Sequence, residues 1–290
     1  MHAQMSLARL PRAACLLRGS HFRHGSALYS SAAVPAPVAP AAALLVVGDE
    51  ILAGSITDVN TPWLAKLLHS RGVDLVRVEF VPDQADDIAA TALRLRQRVG
   101  PSGFVFSSGG IGPTHDDVTY PALATAFGVQ LALHQPTVEL MKTSYGKRGM
   151  ELNEARLRMA TLPSPAEVLH TPGTWVPLVN LQGVYILPGI PSLFRQLITA
   201  NQDRFSGPAI MEAALYSVPG ESFIADQLSA VAVAHPKVSI GSYPNTDPAT
   251  DQLWKVRIGV SSRSQQALDE ALRALQSAVP DLLPQPPMKP

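Results

Sequence analysis

The stretch from Ser107 to Thr119, SSGGIGPTHDDVT, restricts the fold more than any other, because of what flanks it. Phe104-Val105-Phe106 before it is short, aromatic and β-branched, as a buried strand requires, and Val118 to Phe127 after it has helical spacing and stops at Gly128. Strand, glycine turn, helix is an order that leaves N–H groups pointing outward at the carboxyl end of a strand. Gly109, Gly110 and Gly112 carry no Cβ, so the backbone can take positive φ and come close to a ligand, and the helix start adds partial positive charge. Phosphate is the guest such a turn suits. Asp116 and Asp117 would repel a bare phosphate, so the expectation includes a divalent cation between them and the ligand, or a water handled by one of them. The plainer alternative is that Asp116 only caps the helix and Gly109-Gly110 only make a tight turn.

The neighbouring segments repeat the same order. Ala43 to Val47 reads as a first buried strand, with Gly48 to Gly54, carrying Asp49 and Glu50, as the loop at its carboxyl end. Asn60-Thr61-Pro62 supplies a cap and an N1 proline for a helix whose Trp63, Leu64, Leu67 and Leu68 share a face up to a Gly72 stop. A second strand, Leu75 to Val81, leads to Asp83 as the cap of a helix through Ile88, Ala92 and Leu95. Alternating strands and helices imply a mostly parallel sheet with helices on both faces, a three-layer α/β fold, and ligands then collect beyond the strands' carboxyl ends. Asp49, Glu50, Asp116 and Asp117 are expected to converge there.

Residues 136–159 read as one polar helical segment whose Lys142, Lys147, Arg148, Asn153 and Arg156 are available to a ligand, although charged residues on a helix are ordinarily a solvated face. Thr174 to Val179 and Val184 to Leu187 form a hairpin around Gln182-Gly183, and Pro188-Gly189-Ile190-Pro191 turns the chain into a helix. Gly189 lets that second strand-to-helix turn approach the same ligand. Beyond Pro208 the register changes to a small α+β unit: a strand near Leu215, a helix from Ser222 to Val233, strands at Val238 to Ser242 and Leu253 to Val260, and a helix from Ser264 to Val279. The expected division is residues 43–206 for the α/β domain, 207–283 for the small domain and 284–290 for a loose proline-rich tail.

Formal net charge is zero and no basic stripe interleaved with aromatics occurs, which argues against nucleic acid as a partner. No apolar run approaches the roughly 20 residues that cross a bilayer, so no membrane span is expected. Cys15 is the sole cysteine, so an intrachain disulfide cannot form. Asp49 is the first acidic residue, whereas Arg9, Arg12, Arg18 and Arg23 precede it among alanines, serines and leucines, the composition of a transit peptide. Mitochondria are the expected destination, plastids the alternative, and an N-terminal extension without an address the plain reading. Residues 32–42 are a Pro/Ala linker, so 1–42 is assigned to transit peptide and linker.

The strings GDEILAGSITDVNTPWLAKLLHSRG, SSGGIGPTHDDVTYPALATAFG and VYILPGIPSLFRQL, in that order and spacing, resemble the molybdopterin-binding-like superfamily. Within it they are similar to the N-terminal domain of eukaryotic FAD synthase and to the competence/damage-inducible protein A group. The small unit, with Gly241-Ser242-Tyr243-Pro244, is similar to the segment that follows in FAD synthase. The sequence stops before a PAPS-reductase-type adenylyltransferase domain or a nicotinamide-mononucleotide amidase domain, so neither of those activities is expected. The resemblance implies metal-dependent hydrolysis of a nucleotide diphosphate linkage, FAD to FMN and AMP or ADP-ribose to ribose 5-phosphate and AMP, with magnesium or cobalt as the metal. Alternatives are molybdopterin binding or adenylylation, and a non-catalytic flavin or nucleotide module. It implies Gly109, Gly110, Gly112 and Thr114 as the phosphate cradle, and Asp49, Glu50, Asp116 and Asp117 as the residues that hold metal or orient water. Asp58, Asn60, Ser108 and Gly189 are further candidates for ligand contact, and His115 for phosphate or metal. The resemblance also implies self-association.

Overall fold

Ala41–Val47 (β1) is buried along its whole length, and this settles its place inside a sheet covered on both sides. The structure, a computed structural model, describes residues 39–286. The transit-peptide reading and Cys15 lie outside the described residues, as does the end of the tail. β1 begins two residues inside the segment read as linker: Ala41 and Ala42 pair with Asp74 and Leu75, and Ala42 also with Phe104. Alanines look like linker by composition, but here they are what the close-packed strand needs.

After β1 come the short helix α1 (Asp49–Leu52), α2 (Asn60–Ser70), β2 (Asp74–Val81), α3 (Ala85–Val99), β3 (Phe104–Ser108) and α4 (Thr119–Ala126). A two-stranded sheet follows from β4 (Gln130–Leu133) and β5 (Thr161–Ser164), with α5 (Gln135–Gly146) and α6 (Glu154–Arg158) between them. The single helical segment expected over 136–159 is thus two helices. Gly149, at φ +67, turns the chain after α5, and the Asn153 side chain caps α6 by accepting from the Arg156 amide at 3.0 Å. β6 (Glu167–Leu169), β7 (Leu178–Leu181), β8 (Val184–Leu187) and α7 (Pro191–Ala200) complete the larger part.

Its six-stranded sheet runs β2-β1-β3-β8-β7-β6, parallel from β2 to β8 and antiparallel over the last two strands. Alternation along β1 divides the core into two layers. Ala43, Leu45 and Val47 meet Ile88, Ala92 and Leu95 of α3 and Leu123 of α4, while Ala42, Leu44 and Val46 meet Leu64 and Leu68 of α2 and Phe194, Leu197 and Ile198 of α7. Each large side chain buried this way contributes roughly 1.5–3 kcal/mol. The mixed, mostly parallel three-layer architecture is the one the sequence predicts.

The small antiparallel sheet contains β9 (Met211–Ser217), β10 (Ser239–Pro244) and β11 (Val256–Ser262) in the order β10-β11-β9, with α8 (Glu221–Ala234) and α9 (Gln265–Ala278) over one face. Arg263 joins it to the larger part through Gly72 O at 3.1 Å and Asp74 Oδ1 at 2.9 Å. Leu283 exchanges backbone hydrogen bonds with Tyr216, so the start of the C-terminal segment is tied to β9.

Candidate functional site

Register brings the turns together. Val46 pairs with Ser108 and Ser108 with Leu187, so the segments leaving β1, β3 and β8 start at one level on the sheet edge. They open into a cleft of about 1040 Å³. A Cβ on Gly189 would lie 3.5 Å from the Gly109 Cα, so the two glycine turns touch backbone to backbone.

The β3–α4 loop is held from inside. Gly109 N–H donates to Leu187 O at 3.1 Å, which continues the ladder rather than serving a ligand. Thr119, fully buried at the start of α4, donates its hydroxyl to Gly109 O and its amide to Gly110 O, both at 2.9 Å. Asp117 accepts from Gly112 N–H at 2.5 Å, from Thr114 N–H at 2.8 Å and from the Thr114 hydroxyl at 2.5 Å. This corrects the expected cradle. Among the described residues Gly110 and Ile111 keep N–H groups without a partner, while those of Gly109, Gly112 and Thr114 are taken by the protein itself. Gly110 sits at φ +66 against the Thr119 hydroxyl, where a side chain would not fit.

The expected convergence of four carboxylates also needs correcting. Among the described residues no three His, Cys, Asp or Glu side chains are grouped so that they could hold a metal ion. Asp117 is occupied as the loop's clamp. Asp116 is exposed and absent from the cleft wall, with His115 3.9 Å away and itself exposed. The Thr114 hydroxyl, then the backbone amide, lower the Asp116 pKa, yet the single Thr114 proton is directed at Asp117 and so open a carboxyl gains little. Asp49 lies at the start of α1 outside the cleft wall, and its amide donates to Asp83 Oδ2 at 2.9 Å. Glu50 alone of that pair borders the cleft. These residues as placed do not form a metal ligand set.

Asp83 is thereby another correction: it serves α1, and the helix it was expected to cap begins after Gln84 without a side-chain cap. Burial raises its pKa first; the charges of Glu50, Asp49 and Asp116 push in the same direction against the Asp49 amide. The acids on this edge therefore feel one another without sharing a ligand.

Asp58 and Asn60 border the cleft but do structural work. Asp58 Oδ1 accepts from the amides of Asn60 and Thr61 at 2.9 and 3.1 Å, doing the capping expected of Asn60. Asn60, 5% exposed, donates from Nδ2 to Ser108 Oγ at 3.1 Å and to Gly189 O at 2.9 Å, tying α2 to both glycine turns. Because Gly189 offers a carbonyl, the amide orientation is fixed, and Oδ1 is left buried without a partner.

The opposite wall was largely missed. Leu140, Thr143, Ser144, Tyr145, Lys147 and Arg148 come from α5 and its end, with Trp175 from the segment before β7. Of the five polar residues singled out from 136–159, Lys147 and Arg148 reach the cleft. Lys142 instead pairs with Glu139 at 2.7 Å, and Arg156 lies 4.6 Å over the Tyr145 ring. Tyr120 borders the sheet side, and burial pushes its hydroxyl pKa up, so it stays neutral. Ile56 and Ile190, more than half exposed, add apolar surface at the same cleft. Aromatic residues scattered through a helix and a loop carry no sequence signal for a shared wall.

Comparison with known proteins adds to this geometry. Residues 43–200 match the family model of a probable molybdopterin binding domain, and residues 209–285 match that of the FAD synthase middle domain. A protein of Aeropyrum pernix is 34% identical, covering 82% of this chain and 91% of its own length. A probable FAD synthase of Caenorhabditis elegans is 29% identical over 83% of this chain, which spans 50% of the worm protein. The crystal structure of the protein CinA, of unknown function, from Thermoplasma acidophilum covers 57% of this chain and 99% of its own at 30% identity and a TM-score of 0.51. No described helix is long and apolar enough to cross a membrane.

Proposed function

Because the chain belongs to the molybdopterin-binding domain family and continues into a FAD synthase middle domain, we propose that its cleft binds a nucleotide diphosphate and hydrolyses the linkage. The carrying observation is the pair of unpartnered N–H groups at Gly110 and Ile111, fixed by Asp117 and Thr119 at the edge of a cleft large enough for a nucleotide. Water attacks one phosphorus, the bond to the bridging oxygen breaks, and the electron pair leaves on the other phosphate. Charge on the departing phosphate needs preorganised donors more than a protein nucleophile, and the loop supplies such donors. Glu50 borders the cleft and its carboxylate has no hydrogen-bonded partner among the described residues, which supports it as the group that orients the water and accepts its proton. No step is assigned to a metal, since the acids do not form a ligand set.

The test is to incubate the full chain with FAD, ADP-ribose and NADH, with magnesium, with cobalt and with a chelator, and to chromatograph for AMP. Release of AMP from one of them is expected; release from none defeats the proposal. A second reading, pterin binding or adenylylation, is favoured by the presence of Tyr145 and Trp175, whose rings lie 6.0 Å apart, among the residues that border the cleft. ATP-dependent adenylyl transfer to molybdopterin without AMP release from the dinucleotides would select it. Binding without any turnover would make the protein a nucleotide-binding module.

A further inference from the structure

The charged groups bordering the cleft are unequal in what they have left to offer. Asp58 and Asp117 accept hydrogen bonds from their own loops. Lys147 and Arg148 are exposed at the end of α5, border the cleft, and their side chains make no hydrogen bond or ion pair among the described residues. Nearby cations behave differently: Lys142 pairs with Glu139, while Arg156 bonds Glu151 O and covers Tyr145. The partial negative charge at a helix C-terminus accounts for one cation there. It does not account for two consecutive unpaired ones on a cleft whose other wall offers free N–H donors.

The turn that carries them is fixed. Lys147 and Arg148 amides return to Thr143 O and Tyr145 O, and Met150 N–H donates to Tyr145 O at 3.0 Å, which Gly149 permits by its left-handed φ. Beneath it Met141 and Val138 are buried with Ala160, and Tyr145 and Trp175 pack against them. The two cations therefore stand on a set base at the border of the cleft.

We propose that Lys147 and Arg148 are specificity-determining residues that hold the second anionic group of a diphosphate, one group resting on the Gly110 and Ile111 amides and the other on this pair. The cleft then selects diphosphate-linked nucleotides over monophosphates. This rests on the nucleotide diphosphate reading above, but it concerns binding and is separable from turnover. Arg brings a planar fork suited to two phosphate oxygens and Lys a point charge.

The probes are AMP and an ADP-ribose analogue with a methylene in place of the bridging oxygen, titrated calorimetrically into the full chain, wild type and K147A/R148A, with K142A as control. The double variant should weaken analogue binding by roughly 10- to 100-fold and AMP binding by less than about 3-fold, with unchanged melting temperature. Rising salt should weaken the wild type more than the double variant. K142A should match wild type for both ligands. Equal weakening of both ligands, no weakening of either, or failure of the wild type to bind the analogue overturns the proposal. AMP release from hydrolysable ADP-ribose is read separately: tight analogue binding without release leaves this assignment standing and defeats the hydrolase reading.

Discussion

On the sheet side of the cleft the backbone is held by hydrogen bonds to fixed partners: Gly109 to Leu187, Thr119 to Gly109 and Gly110, Asp117 to Gly112 and Thr114, and Asn60 to Ser108 and Gly189. On the helix side α5 is held mainly by packing, with Val138 and Met141 buried beside Ala160; Lys142 pairs with Glu139, while the Lys147 and Arg148 side chains just beyond its end lack partners among the described residues. Under the proposed hydrolysis the sheet-side wall presents donors at a developing charge and is costly to disturb, because misplaced dipoles lose their effect. A wall that only chooses the ligand can end in long, solvated side chains. Damage to the first should therefore cost turnover and stability together, and damage to the second should cost discrimination or little at all.

The largest separation is expected from side chains added at glycine. Gly109 has φ +111, and a Cβ there would run into the Val47 carbonyl. Gly109→Val should lower stability by about 2–5 kcal/mol, from left-handed strain and overpacking, and AMP release by about 1000-fold or more, since β1, β3 and the glycine turn all shift. Gly146, at the end of α5, has open space around its Cβ position and no left-handed φ. Gly146→Ala should be neutral or stabilise by up to about 1 kcal/mol. Thermal melts and the AMP assay on both variants decide it, and a Gly109→Val variant with wild-type AMP release would break the contrast.

Next in size is the difference between the adjacent acids. Asp117 accepts three hydrogen bonds from the loop, and losing a charged acceptor costs about 1.5–3 kcal/mol per bond in favourable cases. Asp117→Ala should therefore reduce AMP release by roughly 100-fold and lower the melting temperature by several degrees. Asp116 is exposed and outside the cleft wall, so Asp116→Ala should stay within about 3-fold of wild type. Equal losses from both would restore the two aspartates to one shared role.

The sheet side was legible in the sequence because its signals are local. Short continuous apolar runs, the Gly72 and Gly128 stops and the Gln182-Gly183 turn each set backbone geometry within a few residues, and the strands follow. The identity of the loop as a turn was equally plain, but not the use of its atoms. That Asp117 faces inward to Gly112 while Asp116 faces solvent depends on a bend of the loop, and nothing in the string GPTHDD distinguishes the two carboxylates. The position of Asp83 predicts a cap for the nearest following helix, whereas its carboxylate serves α1, 34 residues back in the sequence. β4 and β5 escaped because β4 is exposed at every position and β5 contains Pro163, so neither shows the burial pattern of a strand. The helix wall depended on Tyr145 meeting Trp175 across a long interval, a tertiary fact that periodicity cannot carry.

The smallest expected effect also separates the walls. His134 precedes α5, its amide donates to Ala160 O at 2.8 Å and its Nδ1 shares a 2.8 Å hydrogen bond with Thr137. Its ring stacks on His170, with centroids 5.7 Å apart and planes 22° from parallel. Burial, and then the charge of His134, lower the His170 pKa below the ordinary 6.5. The folded state thus favours neutral His170, so this contribution is complete above pH 6.5 and is lost as pH falls through the lowered value. Water screens this effect, because His170 is exposed, so its consequence is small. Hydrogen exchange, corrected for the intrinsic pH dependence, should therefore show the amides at the start of α5 losing up to about 5-fold in protection between pH 7.5 and 5, while those of β1 and β3 do not change. His170→Asn should abolish the difference. Equal loosening of β1 and α5 would mean that the helix wall has no independent sensitivity, and the division between a fixed wall and an adjustable one would fail at its mildest test.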